Sequence, residues 1–333
     1  MAIPYLLSPL QILGDEEYNS ESPRIGGQPM VPDEKAALIC SKLKERGYRG
    51  AVLPVEHVAQ LKHEIEERLG QKEIDAPLYD RCLSSFKFDV TTNLPGTCSI
   101  IMTAAPQPQR EVTFHFDGQT YSVIIPPTYY ADTDDQVRNI LENILTTNGY
   151  QLHRAALPLK LLAVCSGMAE YGKNNIAYVE GLGSFVRLKA FLSDMPTNRG
   201  EWLEPRVMKE CDKCKACLKA CPTGAIVRDR FLIHAERCLT FLNEGSERFP
   251  EWIDPAWHNS LIGCMKCQVV CPVNKQFVKW VEQGEDFTEA ETELILNGVL
   301  LDRLPPETVH KLNRSYMVDY LDVLPRNLRA LLR

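Results

Sequence analysis

Residues 211–222 read Cys211-Asp-Lys-Cys214-Lys-Ala-Cys217-Leu-Lys-Ala-Cys221-Pro222, and this stretch decides the fold of the chain around it. A second run ends in the same way, with Cys264, Cys267 and Cys271 followed by Pro272. Cys238 stands alone between the two runs. Eight of the twelve cysteines in this 333-residue chain therefore lie in a single segment.

The spacing within the first run is C-x2-C-x2-C-x3-C-P, which is typical of bacterial ferredoxins with two [4Fe–4S] clusters. In that pattern the fourth cysteine of a run ligates the other cluster. The sequence thus predicts a ferredoxin-like domain over residues 205–280 with crossed ligation. The predicted ligands of cluster one are Cys211, Cys214, Cys217 and Cys271, and those of cluster two are Cys264, Cys267, Cys238 and Cys221.

Closely spaced cysteines have two other common uses. Paired CxxC motifs also build structural zinc sites, in which four thiolates surround one tetrahedral ion. Disulfide frameworks occur mainly in small secreted chains, and 333 residues are enough for a hydrophobic core. The x2, x2, x3 spacing and the two Cys-Pro ends favour cubane clusters over both. The remaining cysteines lie in apolar surroundings and are expected to be buried, inert thiols: Cys40, Cys82, Cys98 and Cys165.

Composition places the chain among ordinary soluble proteins, with 44% hydrophobic and 24% charged residues. No apolar run approaches the ~20 residues of a membrane span, and no export signal is recognised, so we expect a cytoplasmic protein without a membrane partner. The formal net charge is -7. An acidic chain offers little long-range attraction to a nucleic-acid backbone, so a nucleic-acid partner is not expected.

The predicted organisation has four parts. Residues 1–30 read as an irregular arm, 31–204 as a mixed α/β core, 205–280 as the cluster domain and 281–333 as a short helical C-terminal tail. Strands are predicted at 48–53 and 99–104, and a hairpin at 112–125, because Asp117-Gly118 suits a type I′ turn between two alternating stretches. In the tail, Thr288 and Glu291 form a capping box. The fold class is α+β.

Three groups of motifs resemble the epoxyqueuosine reductases and, more distantly, the reductive dehalogenases. The first is the glycine-rich stretch Ser166-Gly-Met-Ala-Glu-Tyr-Gly-Lys-Asn-Asn175, followed by Gly183-Ser184 and Asp194-Met-Pro196. The second is Cys221-Pro-Thr-Gly-Ala-Ile226 with Arg237-Cys-Leu-Thr-Phe-Leu242. The third is Gly263-Cys-x-x-Cys-Gln268 with Cys271-Pro-Val-Asn274. The similarity is good over residues 155–275 and weaker over 85–135.

The resemblance implies a cobalamin-dependent reductase. Members of these families hold a base-off cobalamin on a nitroreductase-like α/β core, and the nearer cluster passes electrons to cobalt. Carried over by position, the cofactor-binding residues are Met168, Glu170, Tyr171, Gly172, Lys173, Asn174, Gly183 and Ser184. An external electron donor of the ferredoxin or flavodoxin type is also implied.

The chain departs from the family pattern at the position of the general acid. Epoxyqueuosine reductases have an Asp-Tyr-His run there, whereas this chain has Pro126-Pro-Thr-Tyr-Tyr130. Tyr129 and Tyr130 are the local candidates for a catalytic proton donor, since a phenol near the metal can protonate a developing anion. They are equally suited to pack against the end of a strand. The helical repeats found in many epoxyqueuosine reductases are also absent from this sequence.

Two functions from different classes follow from these patterns. The first is a reductase in which the clusters supply electrons to a corrinoid that reduces a small organic substrate. The second is an electron-transfer or activator protein, which passes electrons to a partner such as a corrinoid protein and has no small-molecule substrate of its own. Turnover of a free small molecule distinguishes them.

Overall fold

The computed structural model describes residues 32–74, 78–92 and 94–333 of the chain. The predicted arm at 1–30 lies outside these residues. The helices are α1 (Pro32–Glu45), α2 (His57–Gly70), α3 (Asp132–Thr146), α4 (Leu159–Cys165), α5 (Ala216–Ala220), α6 (Leu239–Glu244), α7 (Lys266–Val269), α8 (Glu289–Leu296), α9 (Pro306–Arg314) and α10 (Leu324–Leu331). The strands are β1 (Arg49–Pro54), β2 (Ser99–Pro106), β3 (Gln109–Phe116), β4 (Gln119–Ile125), β5 (Leu152–Arg154), β6 (Ala169–Tyr171), β7 (Ala177–Val179), β8 (Val186–Ser193) and β9 (Val281–Phe287).

A four-stranded sheet with the order β1-β2-β8-β5 forms the centre of the core. Its strands are antiparallel, and β2 pairs with β8 from Ser99↔Ser193 to Pro106↔Val186. β2 is buried on both faces because α1 and α3 cover one side and α2 and α4 lie in the apolar cluster on the other. The strands predicted at 48–53 and 99–104 are confirmed within one or two residues.

The predicted hairpin is confirmed as β3 and β4, which pair in antiparallel fashion. Asp117 and Gly118 have φ values of 51° and 68°, the positive angles that a type I′ turn requires at both central residues. The two strands are joined by a third, β9, in the order β4-β3-β9. β9 runs parallel to β3, and its register shifts between Glu111 and Thr113.

The prediction that residues 281–333 are helical is wrong for the first seven of them, which form β9. β9 is mostly exposed and polar, so it carries no hydrophobic alternation that would mark it as a strand. The capping box that follows is confirmed, because Thr288 and Glu291 bond reciprocally at the start of α8. The rest of the segment is helical, and α8 packs against β3.

The cluster segment shares its hydrophobic core with the residues before it. Ile226, Leu232 and Phe241 belong to the same buried group as Ile100 of β2 and Leu162 of α4. A second buried group joins β3 and β4 to the C-terminal helices and to Leu261 and Ile262. Within the described residues, none of the helices is long and apolar enough to cross a bilayer.

Candidate iron–sulfur site

The eight motif cysteines surround two separate cavities. The first cavity is lined by Cys211, Cys214, Cys217 and Cys271. The second is lined by Cys221, Cys238, Cys264 and Cys267. These are the two sets that crossed ligation predicts, with Cys221 and Cys271 each placed beside the cysteines of the other run. Their role as cluster ligands stays a prediction, and we call the two places cavity one and cavity two.

Short helices present the cysteines to the cavities. Each run contains one helix, α5 in the first and α7 in the second, and the two helices pack against each other. Each helix stops before the Cys-Pro that closes its run, because a proline has no amide hydrogen with which to continue it. The last cysteine of each run is then in extended backbone, which turns it toward the cavity of the other run.

Hydrogen-bond donors point at some of the sulfur atoms. The amide of Lys173 donates to Sγ of Cys211 at 3.4 Å. Nδ2 of Asn259 donates to Sγ of Cys264 at 3.3 Å. Such bonds raise the reduction potential of a cluster, because they stabilise negative charge on its sulfur ligands.

The disulfide alternative is not seen among the described cysteines. All twelve lie in the described residues, and none is paired in a disulfide. Among those same residues, no group of three or more His, Cys, Asp or Glu side chains is arranged to hold a metal ion.

The four cysteines outside the motifs were expected to be buried. Cys82 and Cys165 are, and burial raises the pKa of the Cys165 thiol to about 12, which makes it unreactive. Cys40 and Cys98 are only half-buried. The Cys40 thiol donates to the carbonyl of Gly50, and the Cys98 thiol donates to that of Gly96.

Charged side chains from the core and from the cluster segment also line cavity two. Lys160, in the first turn of α4, and Glu244, the last residue of α6, are both buried and line it. Burial lowers the pKa of Lys160 to about 8 and raises that of Glu244 to about 7. The hydroxyl of Tyr129 donates to Oε1 of Glu244, while Oε2 has no hydrogen-bond partner among the described residues. A lysine, a carboxyl group and a phenol therefore meet beside the cluster-two cysteines.

Lys160 and Glu244 were missed at the level of sequence. The only signal for Lys160 is a single charge within the apolar stretch Leu157-Pro-Leu-Lys-Leu-Leu-Ala-Val-Cys165. Glu244 lies two residues after the Arg237–Leu242 motif, and nothing in the local pattern indicates that it is buried. Their meeting depends on the packing of α4 against the cluster segment.

The two candidate tyrosines are placed differently. Tyr129 lines cavity two, and its ring packs edge-on against Tyr320 at 5.7 Å. Tyr130 is buried in the second hydrophobic group, under the Arg110 guanidinium at 4.1 Å and beside Tyr316. Burial raises the pKa of Tyr130 well above its usual value. The structure thus brings Tyr129, and not Tyr130, to the candidate site.

The residues that the resemblance assigns to cobalamin lie where the core packs against the cluster segment, a boundary that we call the seam. Ser184 donates from its amide to Oδ1 of Asn274 at 2.9 Å and from its hydroxyl to Gln268 at 2.8 Å. Asn174 donates to the hydroxyl of Tyr178 and lines both cavities. Tyr171 is fully buried. These side chains are occupied by contacts within the protein.

Both glycines of this set lie against an asparagine side chain, Gly183 against Asn274 of the cluster segment and Gly172 against Asn174 of its own loop. A Cβ on Gly183 would lie 2.5 Å from Oδ1 of Asn274, and Gly183 also has a φ of 59°. A Cβ on Gly172 would lie 2.4 Å from Oδ1 of Asn174. Only Met168, Glu170 and Lys173 keep partly exposed side chains. The set therefore divides into five buried residues and three with partly exposed side chains, of which Lys173 also donates to Cys211 and to the carbonyl of Arg230.

We expect Asn274→Ala to destabilise the protein by about 2–3 kcal/mol, because it leaves buried groups unpaired. Asn274 is fully buried and bonds to the amide and hydroxyl of Ser184 and to the carbonyl of Gln268. The midpoint of anaerobic urea unfolding measures the change. Asn313→Ala, at an exposed position in α9, serves as the control and should shift the midpoint little. An equal shift in both variants would contradict the prediction.

Comparison with known proteins agrees with this geometry. Residues 210–274, which include all eight motif cysteines, match the family model described as a 4Fe-4S double cluster binding domain. The chain carries a double 4Fe-4S domain. The chain is also similar to epoxyqueuosine reductases in sequence. The Escherichia coli (strain K12) enzyme is 35% identical over 128 residues, which is 38% of this chain and 32% of the relative. The Bacillus subtilis (strain 168) enzyme is 36% identical over 207 residues, which is 58% of this chain and 50% of the relative.

The fold extends the similarity beyond the double 4Fe-4S domain. Epoxyqueuosine reductase from Bacillus subtilis matches with a TM-score of 0.63 and 20% identity, covering 90% of this chain and 82% of that one. The enzyme from Streptococcus thermophilus matches with a TM-score of 0.59 and 18% identity, covering 89% and 80%. A reductive dehalogenase is a more distant neighbour, with a TM-score of 0.35. The predicted resemblance is confirmed, although the chain spans at most about half the length of the curated relatives described above.

Proposed function

We propose that this chain is an iron–sulfur oxidoreductase that reduces a small organic substrate with electrons passed through two [4Fe–4S] clusters, with cobalamin as a further cofactor. The observation that carries the proposal is the pair of cavities, each surrounded by four cysteines in the crossed sets. Two neighbouring clusters make a path for single electrons. Similarity to epoxyqueuosine reductases supports the reductase class.

The order of electron flow follows from the surroundings of the cavities. Core residues line both cavities, Lys160, Thr128 and Tyr129 at cavity two and Gly172 and Lys173 at cavity one. The residues between the first two cysteines of cavity one, Asp212 and Lys213, are exposed to solvent, whereas the core residues named at cavity two are buried. We therefore assign entry from an external donor to cluster one and delivery into the core to cluster two.

The structure limits how cobalamin would be held. Five of the eight carried-over residues are buried, so a corrin would rest against the partly exposed Met168, Glu170 and Lys173. When bound, a corrinoid supplies a metal centre that takes up single electrons and can remove a leaving group from an organic substrate. The nitroreductase-like description of residues 31–204 belongs to the same part of the proposal and is supported by the resemblance.

The chain's own residues then hold charge and protons beside cluster two. Tyr129 holds a proton at its hydroxyl, directed to Glu244, and Lys160 supplies a buried positive charge. We propose Tyr129 as the proton donor, with Glu244 setting the position of its hydroxyl. Tyr130 lies outside cavity two and has no assigned contact with the substrate.

Anaerobic reconstitution tests the proposal in separate stages. With iron and sulfide we expect about eight irons per chain and the EPR signals of two reduced [4Fe–4S] clusters. Cobalamin titration, followed by absorbance and EPR, then tests the corrinoid, and turnover of small organic substrates tests the enzyme. Eight irons without cobalamin uptake would overturn the corrinoid part and leave electron transfer.

A second candidate is an electron-transfer or activator protein for a partner such as a corrinoid protein. The occupied seam favours it, because little of the carried-over surface remains for a corrin of its own. Loss of electrons from the reduced protein to a corrinoid protein, without turnover of any free small molecule, would establish it.

A related epoxyqueuosine reductase structure contains an epoxyqueuosine-modified tRNA stem loop. That stem loop is therefore included among the substrates tested, although the acidic chain predicts no turnover of it.

A further inference from the structure

The surface around cavity one differs in charge from the rest of the chain. The two loops that carry its cysteines, residues 209–219 and 266–279, contain seven lysines and only two acidic residues. The whole chain has a formal net charge of -7. Positive charge is therefore concentrated beside the cysteines of cavity one.

The lysines of this surface are exposed and not neutralised by ion pairs. Those exposed are Lys209, Lys213, Lys215, Lys219, Lys275 and Lys279. Within the part of the chain that the structure describes, none of them lies in an ion pair, whereas basic residues elsewhere do, such as Arg206 with Glu170 and Lys311 with Glu291. The acidic residues among them are Glu210 and Asp212. The patch thus keeps a net positive charge.

Two exposed valines belong to the same surface as the lysines. Val269 and Val270 are 41% and 42% exposed, unusual for valines, and they immediately precede Cys271 and Pro272. The helix α5, which contains Lys219 and follows Lys213 and Lys215, packs against α7, which contains Val269, so the two loops form one surface. An apolar centre with a polar rim is the anatomy of a protein–protein interface.

We propose that this surface, residues 209–219 with 266–279, is the docking site of a small acidic one-electron carrier protein. The inference rests on the proposed electron path and names its entry point. The positive charge of the surface favours an acidic partner. The exposed valines favour a protein over a nucleic acid, because they offer an apolar contact. In the complex one electron leaves the reduced carrier and reduces the cluster in cavity one, and no bond is made or broken.

Complementary charge acts mainly on the rate of association. Steering by opposite charges raises association rates by about 10- to 1,000-fold at low ionic strength. Salt weakens it, because the screening length is about 10 Å at 0.1 M. A reaction steered by this patch is therefore fast at low salt and slows steeply as salt is added.

The test is stopped-flow reduction of the reconstituted protein by a reduced acidic ferredoxin at low salt. We expect the triple variant Lys213→Glu, Lys215→Glu, Lys219→Glu to lower the second-order rate constant at least tenfold and to flatten its salt dependence. The matched control, Lys44→Glu, Lys62→Glu, Lys87→Glu, makes the same change of charge on exposed lysines of the core. This control variant should keep most of the second-order rate constant of the unmodified protein.

Two further measurements separate the possible outcomes. Iron content is measured first, so that loss of a cluster, which would weaken the proposed function itself, is distinguished from loss of docking. Reduction by photoreduced deazaflavin, a small reductant that needs no protein interface, should be the same in both triple variants. Equal loss in the control, or an unchanged rate in the loop variant, would overturn the proposal. Loss of tRNA stem-loop binding in the loop variant, with carrier reduction intact, would overturn it in favour of a nucleic acid.

Discussion

Replacing Cys221 with serine is expected to lower the iron content from about eight to about four per chain, because one four-iron cluster is lost. The informative result comes from pairs of substitutions. With crossed ligation, Cys221→Ser combined with Cys267→Ser removes the same cluster twice and leaves about four irons. Combined with Cys217→Ser, it removes both clusters and leaves almost none. Iron analysis and EPR of the reduced protein measure this.

An uncrossed arrangement gives the opposite pattern. Cys221 would then share a cluster with Cys217, so that pair would keep about four irons and the pair with Cys267 would keep almost none. Cys98→Ser is the control, since its half-buried thiol lies outside both cavities and donates only to a backbone carbonyl, which a hydroxyl can also do. Its iron content should stay near eight.

Lys160→Met is expected to lower the reduction potential of cluster two by on the order of 60 mV, a tenfold change for one electron. Lys160 places a buried positive charge at the cavity, and a positive charge stabilises the more negative, reduced cluster. Methionine is similar in length and suits a buried position of α4. Redox titration followed by EPR at pH 7 measures the potential of each cluster, and that of cluster one should change much less.

Glu244 complicates this result and also provides its control. Burial already raises its pKa to about 7, and loss of Lys160 raises that pKa further, so the carboxyl takes up a proton and offsets part of the lost charge. The substitution is therefore repeated in a Glu244→Gln background, where no such offset occurs. There the full decrease in potential should appear. An unchanged potential in both backgrounds would show that Lys160 does not face the cluster.

Local chemistry decided which parts of the structure the sequence could predict. Asp117-Gly118 and the Thr288–Glu291 capping box act through neighbours in the chain, and both are confirmed. Cysteine spacing is also local, and it predicted the two sets that surround the cavities. Predicting the crossed ligation required only the ferredoxin rule, in which the last cysteine of a run ligates the other cluster.

What the sequence could not predict depends on contacts between distant residues. β9 pairs with β3, about 170 residues away, and its exposed stretch Val281-Glu-Gln-Gly-Glu-Asp-Phe287 has no alternating apolar pattern. The roles of Gly172 and Gly183 are explained by Asn174 and Asn274, which fill the space that a side chain would need. The resemblance marked these positions as important, and the structure shows the contacts that make glycine necessary.

The pairing of β9 with β3 has a consequence for how electrons travel. The chain leaves the core after β8, passes through the double 4Fe-4S domain and returns to the core at β9, so that domain is anchored at both ends. A domain attached by a single linker can move between an electron donor and an electron acceptor. On the proposed electron path, anchoring at both ends would set the distances from cluster to cluster and from cluster to core, and the protein would act as a fixed relay. Mobile carriers must come to it.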